Sequence, residues 1–214
     1  MALSLNRRYF NASTLALAWA ACLPTQAKGN GTLLVVGDSL SAEYGLPRGS
    51  GWVALLAQRL KAEGSSVQVV NASISGDTTS GGRSRLAPLL AQHKPQAVII
   101  ELGGNDALRG LPLTASQANL DAMVQACQAQ GAKVLLLGMQ VPPNYGPDYS
   151  AQFAAMYVQV SKQRKCALLP FFLQGVADVA QADTLFQADR IHPVAAAHPQ
   201  LLQNVWPQVK KILP

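Results

Sequence analysis

The stretch Thr32-Leu33-Leu34-Val35-Val36-Gly37-Asp38-Ser39-Leu40-Ser41 decides the architecture. Its first half is continuously apolar rather than alternating, the pattern of a strand covered on both faces, and such strands belong to parallel sheets. Its second half is a turn of Gly, Asp and Ser, residues that end a strand abruptly. Downstream the theme repeats. Trp52 to Leu60 carries Trp52, Val53, Leu55, Leu56 and Leu60 at helical spacing and runs out near Gly64. Val67 to Val70 reads as a second strand, Ser80 to Gln92 as a helix, Ala97 to Leu102 as a third strand, and Gln117 to Gln130 as a helix stopped by Gly131. Val134 to Gly138 and Ala167 to Phe171 supply two more strands, with helices over Ala151 to Arg164 and Ala195 to Ile212. Alternation of this kind predicts an α/β three-layer sandwich with a parallel sheet of five strands.

Composition supports that reading. Apolar residues make up 49% of the 214-residue chain and charged residues 13%, which is enough for a sizeable core and too little charge for a disordered chain. No linker, repeat or low-complexity tract interrupts residues 28–214, so they read as one domain. The formal net charge of +6 raises the question of nucleic acid. The cations are scattered, however (Arg83 with Arg85, Arg164 with Lys165, Lys210 with Lys211), and no basic run carries interleaved aromatics, so nucleic acid is not an expected partner.

Residues 1–27 read as a secretory signal peptide: Arg7 and Arg8 give a positive start, Leu15 to Leu23 an apolar stretch, and Thr25-Gln26-Ala27 a small-residue exit. The apolar stretch is too short to span a bilayer comfortably, so no stable membrane anchor is expected. Arg7-Arg8-Tyr9-Phe10 faintly resembles a twin-arginine signal, and the bulky Trp19 makes Trp19-Ala20-Ala21-Cys22 a poor lipoprotein box. The expected location is outside the cytoplasm, periplasmic or secreted. Beyond the leader, Cys127 and Cys166 could pair in an oxidising compartment, but they are read as two buried thiols. No Cys and His spacing suits a metal.

Three strands end in polar or glycine-rich turns: Gly37-Asp38-Ser39-Leu40-Ser41, Asn71-Ala72-Ser73-Ile74-Ser75-Gly76-Asp77 and Glu101-Leu102-Gly103-Gly104-Asn105-Asp106. In a parallel sheet all three open onto the carboxyl edge, where ligands bind at the point of reversal in strand order. Near the carboxyl end, Asp189-Arg190-Ile191-His192-Pro193 sets an Asp three residues before a His. A carboxylate so placed can orient a general base. His93 and His198 lack such a neighbour, and His198 reads as the start of the last helix. Asp38, Asp77, Asp106, Ser41 and Ser75 read as turn residues, and Trp52, Trp206 and Tyr157 as core. Leu108, Leu111 and the Pro142 to Tyr145 loop are candidates for an acyl pocket.

The Gly37 to Ser41 turn, Gly76, the Gly104-Asn105-Asp106 turn and the Asp189 to His192 pair match, in order, the four blocks of the SGNH (GDSL-type) hydrolases. The chain resembles above all the bacterial periplasmic thioesterase, lysophospholipase and arylesterase group of that family, also through Pro143-Asn144-Tyr145-Gly146. The resemblance implies a flavodoxin-like fold. It implies Ser39 as nucleophile, His192 as general base and Asp189 as its orienting group, with an oxyanion hole of the Ser39 N–H, the Gly76 N–H and the Asn105 side chain. It implies neither cofactor nor metal, a small-molecule acyl ester or thioester as substrate, and a monomer. Each role agrees with the chemistry: a serine hydroxyl needs a base, a tetrahedral intermediate needs aimed donors, and glycine permits close approach of backbone. A carbohydrate acetyl esterase and a catalytically silent binding module are the alternatives. Glu43 and Ala107 depart from the pattern, each standing where many relatives have glycine, and a G-x-S-x-G elbow is absent.

Overall fold

A computed structural model describes residues 31–213. The expected signal peptide, residues 1–27, lies outside the described residues. The order is β1 (Thr32–Gly37), α1 (Trp52–Ala62), β2 (Gln68–Asn71), α2 (Thr79–His93), β3 (Ala97–Glu101), α3 (Gly104–Leu108), α4 (Leu113–Ala129), β4 (Lys133–Leu137), α5 (Pro147–Arg164), β5 (Ala167–Leu169), α6 (Ala182–Leu185) and α7 (His198–Ile212). Short 3-10 turns at Pro143–Tyr145 and Ala195–Ala197 precede α5 and α7.

The five strands form one parallel sheet in the order β2-β1-β3-β4-β5. Leu33, Leu34, Val35 and Val36 of β1 are fully buried, which explains their unbroken apolar run. Each such side chain contributes about 1.5–3 kcal/mol by leaving water. Helices α1 and α7 pack together on one face, and α2, α4 and α5 form the layer on the other. The helix α7 starts at His198, three residues later than its apolar content predicts, because Ala195–Ala197 winds as a 3-10 turn first.

Strand order reverses between β1 and β3, so the connections leaving these two strands run to opposite sides and leave a crevice between them. The register pairs Gly37 with Glu101, which sets the turns after both strands side by side. Gly37 is demanded by that closeness: a Cβ there would stand 2.8 Å from Ser41 Oγ and 2.9 Å from a Glu101 carboxyl oxygen.

Candidate active site

Ser39 lies two residues beyond the end of β1. Asp38 Oδ1 accepts the Leu40 N–H at 3.0 Å, and the Asp38 carbonyl accepts the N–H groups of Ser41 and Ala42. These bonds curl the chain around Ser39 and present its hydroxyl at the carboxyl edge. The tie expected of Asp38 is therefore present, and it extends further, since Asp38 Oδ2 also accepts Asn105 Nδ2 at 3.0 Å.

His192 arrives from the far end of the chain on a loop closed upon itself. An antiparallel bridge joins Phe186 to Pro193, and the Gln187 N–H donates to the His192 carbonyl at 2.7 Å. Within the loop, Asp189 Oδ1 accepts the N–H groups of Ile191 at 3.0 Å and His192 at 3.1 Å, while Oδ2 lies 2.6 Å from His192 Nδ1. The other ring nitrogen, Nε2, stands 2.8 Å from Ser39 Oγ. Residues 153 positions apart thus meet in one hydrogen-bonded chain from carboxylate to imidazole to hydroxyl. The Ile191 N–H, followed by the His192 ring, holds the Asp189 carboxyl down at about 2, so it stays ionised. Tyr44 lays its ring against His192, centroids 4.4 Å apart, and Gln187 Nε2 donates to both the Tyr44 and Pro193 carbonyls. Gln187 thereby staples the serine loop to the histidine loop. Nothing in its sequence surroundings marks it for that task.

Gly76 closes the turn after β2. The Asp77 N–H donates to the Ile74 carbonyl at 3.1 Å, and Gly76 takes φ of +78° at the third position, the place where type II turns call for glycine. The backbone N–H groups of Ser39 and Gly76 hydrogen-bond to no described residue. Asn105 sits in the first turn of α3, a helix of five residues too short for periodicity to reveal. Its Nδ2 donates to Asp38 Oδ2 and to the Asp77 carbonyl, both at 3.0 Å, so Asn105 links the turns of β1, β2 and β3.

The remaining candidates have structural posts. Asp106 is buried and accepts from the Thr79 N–H, the Thr79 hydroxyl and the Ser116 hydroxyl; it fastens α3 to α2 and α4, which is more than the turn role its sequence suggests. Asp77 pairs with Arg85 at 2.7 Å. Ser41 is buried, donating to Glu101 and accepting from Trp52 Nε1, and Ser75 lies in the Gly76 turn. His198 is buried at the head of α7, where Nδ1 accepts the Trp52 N–H and burial lowers its pKa, so the neutral ring serves as an acceptor. His93 ends α2 at the opposite edge of the sheet. Trp52, Trp206 and Tyr157 belong to the core. Cys127 and Cys166 are free thiols, the first buried and the second partly so. Among the described residues, no group of His, Cys, Asp and Glu could hold a metal ion, and no helix is long and apolar enough to cross a membrane.

Beside the Ser39–His192 pair opens a cavity of about 590 Å³. Its lining includes Leu40, Asn105 and Leu108, Met139 and Phe171 from the loops after β4 and β5, and Phe186 just after α6. Leu108 and Pro142 line it as the sequence suggests, whereas Leu111 and Tyr145 do not.

A model of the GDSL-like lipase/acylhydrolase family matches residues 35–199, which span all four turns just described. The chain belongs to this family. Over 194 residues it is 56% identical to the esterase TesA of Pseudomonas aeruginosa, covering 91% of this chain and 95% of that protein. It is 40% identical over 191 residues to thioesterase 1/protease 1/lysophospholipase L1 of Escherichia coli, 89% of each chain being covered. A crystal structure of TesA superposes with a TM-score of 0.82 at 58% identity, over 85% of this chain and 99% of the other. This GDSL-like hydrolase is accordingly a carboxylic ester hydrolase with a small-molecule ester as substrate.

Proposed function

We propose that this hydrolase cleaves esters and thioesters with medium to long acyl chains, or with aryl leaving groups, in two steps through an acyl-enzyme on Ser39. The observation that carries the reading is the unbroken chain Asp189–His192–Ser39, with contacts of 2.6 and 2.8 Å. His192 Nε2 takes the Ser39 proton as the hydroxyl attacks the substrate carbonyl, and Asp189 fixes the tautomer and steadies the imidazolium that results. His192 then returns the proton to the leaving alcohol or thiol. In the second step it draws a proton from water, which attacks the acyl carbonyl; the Ser39–acyl bond breaks, the acid leaves, and His192 returns the proton to Ser39 Oγ.

The oxyanion falls to the N–H groups of Ser39 and Gly76 and to Asn105 Nδ2. Because both protons of that amide already have acceptors, Asn105 serves the oxyanion by sharing one of them, a bond that strengthens only when negative charge appears. The apolar cavity supports a substantial acyl group rather than acetyl alone, and rates measured across p-nitrophenyl ester chain lengths separate the two, an acetyl-only preference favouring a carbohydrate acetyl esterase. Ser39→Ala tests the mechanism: turnover of p-nitrophenyl esters should vanish in the folded variant, and undiminished turnover refutes the assignment.

Residues 1–27 act as an export leader in this reading, and residues 28–214 work as a monomer in the periplasm or medium. The Arg7-Arg8 start and the short apolar stretch that follows support it. Amino-terminal sequencing of the exported protein should find a start at Lys28 or close to it.

A further inference from the structure

Behind the nucleophile lies a polar group that the mechanism above leaves unused. Glu101 ends β3, is 1% exposed, and stands beside Gly37 in the sheet register. One of its carboxyl oxygens, Oε2, accepts from the Ser41 hydroxyl at 2.8 Å and from the Asp38 N–H at 3.3 Å. The other, Oε1, is buried and finds no donor among the described residues. The adjacent Asp38 side chain, itself 3% exposed and near enough to Glu101 for their charges to interact, holds Leu40 N–H with one oxygen and Asn105 Nδ2 with the other.

Two carboxylates buried side by side repel, and neither is solvated. A single proton resolves the pair: the protonated carboxyl becomes a donor, and the ionised one gains an acceptor's partner. Asp38 is the member equipped to keep the charge, since its two oxygens already accept the Leu40 N–H and Asn105 Nδ2 and the His192 ring stands nearby. Glu101 has only the Ser41 hydroxyl and one long backbone bond. Burial, and next the charge of Asp38, raise its pKa well above the ordinary carboxylate range. The Tyr157 hydroxyl, which faces both carboxyls from α5, gives its own proton to the Leu102 carbonyl.

We propose that Glu101 is a positioning residue for ester hydrolysis: as a neutral acid it donates to the Asp38 carboxylate and so fixes the oxygen from which Asn105 takes its aim at the oxyanion. This rests on the roles proposed for Ser39 and Asn105. No bond to substrate is made by Glu101, and its proton stays on the pair throughout turnover.

Four variants test the idea with a p-nitrophenyl ester, after loss of turnover in Ser39→Ala has secured the esterase reading independently. Glu101→Gln presents a neutral donor of the same shape, so kcat and its pH profile between pH 6 and 9 should stay within about threefold of wild type, the usual latitude for an isosteric exchange. Glu101→Leu removes the donor; kcat should fall about tenfold or more with KM nearly unchanged, because only a transition-state contact is disturbed. In an Asn105→Ala background the same Leu substitution should cost little further, since the two residues act through one path. A Gln variant slowed tenfold or more overturns the proposal even if the Leu variant does not fold. So does an undiminished kcat in Glu101→Leu, or an equal loss with and without the Asn105 side chain, which would mark Glu101 as structural only.

Discussion

Glu43 stands where the family resemblance leads one to expect glycine, and the backbone suits glycine: its φ is +61°. Relaxing the left-handed conformation by Glu43→Gly is worth about 1–2 kcal/mol. Against this stands the side chain, whose carboxylate accepts the Gly49 N–H at 3.0 and 3.1 Å and the Gly51 N–H at 2.8 Å. Bonds to a charged acceptor contribute about 1.5–3 kcal/mol each, and partial exposure puts these two donors at the low end, about 3 kcal/mol together. Glycine also frees the unfolded chain by up to about 1 kcal/mol. The net effect is a loss of about 2 kcal/mol, which for a domain of this size lowers Tm by about 4–8 °C. Thermal unfolding followed by circular dichroism measures it, with Glu43→Gln, which retains a carbonyl acceptor, losing less. Esterase activity should fall alongside, because the loop freed is the one that lays Tyr44 on His192. A Gly variant melting at or above the wild type would show that the carboxylate contributes nothing and that backbone strain alone governs the position.

In Asp189→Asn the amide hydrogens face Nδ1, so His192 turns a proton rather than a lone pair towards Ser39; kcat should fall about 10³–10⁴-fold, measured on p-nitrophenyl esters. Asn105→Ala should lower kcat about 10²–10³-fold with KM little altered. Asp38 is raised by burial to about 6, so between the usual carboxylate range and pH 6 the folded state binds the extra proton and stability declines as pH rises; Asp38→Asn should flatten that slope in melts across pH 4–7. Asp189 runs the other way: with its pKa down at about 2, its contribution is complete above the usual carboxylate range and disappears as pH falls towards 2, so wild type and Asp189→Asn should converge there in Tm. Burial pushes the Cys127 thiol up to about 12 and raises that of Cys166, so both should react slowly with a disulfide reagent at neutral pH and promptly after denaturation.

Each of the five strands and five long helices is legible in the sequence, with bounds that shift by up to a few residues. The errors have causes. Helix α5 begins at Pro147, four residues before its apolar periodicity starts, and proline at a first helical turn was the available signal. Helix α4 begins at Leu113 rather than Gln117, its first turn disguised by Thr114 and Ser116, the second of which spends its hydroxyl on Asp106. Helices α3 and α6 hold five and four residues, less than periodicity can register. The site turns could be read because a parallel sheet brings every strand's carboxyl end to one rim. The cavity wall could not, since Met139, Phe171 and Phe186 come from separate loops with no shared spacing. In the sequence Glu101 reads only as the first residue of a polar turn; its place emerges from the register that sets it beside Gly37, next to Asp38.

The carboxylates flanking the Ser39–His192 pair work under opposed conditions, and their places in the fold explain why. Asp189 lies in a loop, its side chain 37% exposed, and backbone N–H groups wrap its charge within three residues of sequence. Water screens it, so the role proposed for it towards the imidazolium works chiefly through contact and orientation. Asp38 follows β1 at the switch point, sealed by its neighbours, and its charge rests on donors from Leu40 and Asn105 and on the proton proposed for Glu101. In that dry setting a charge acts over a longer range than at the surface. Asp38 thus lies near the His192 ring without touching it, while one of its oxygens holds the amide proposed to meet the oxyanion. In the proposed mechanism opposite charges arise on the two sides of the reacting carbonyl during attack, and this one buried carboxylate stands beside both. Such an arrangement requires strands adjacent in space but not in sequence, which is what the reversal between β1 and β3 provides.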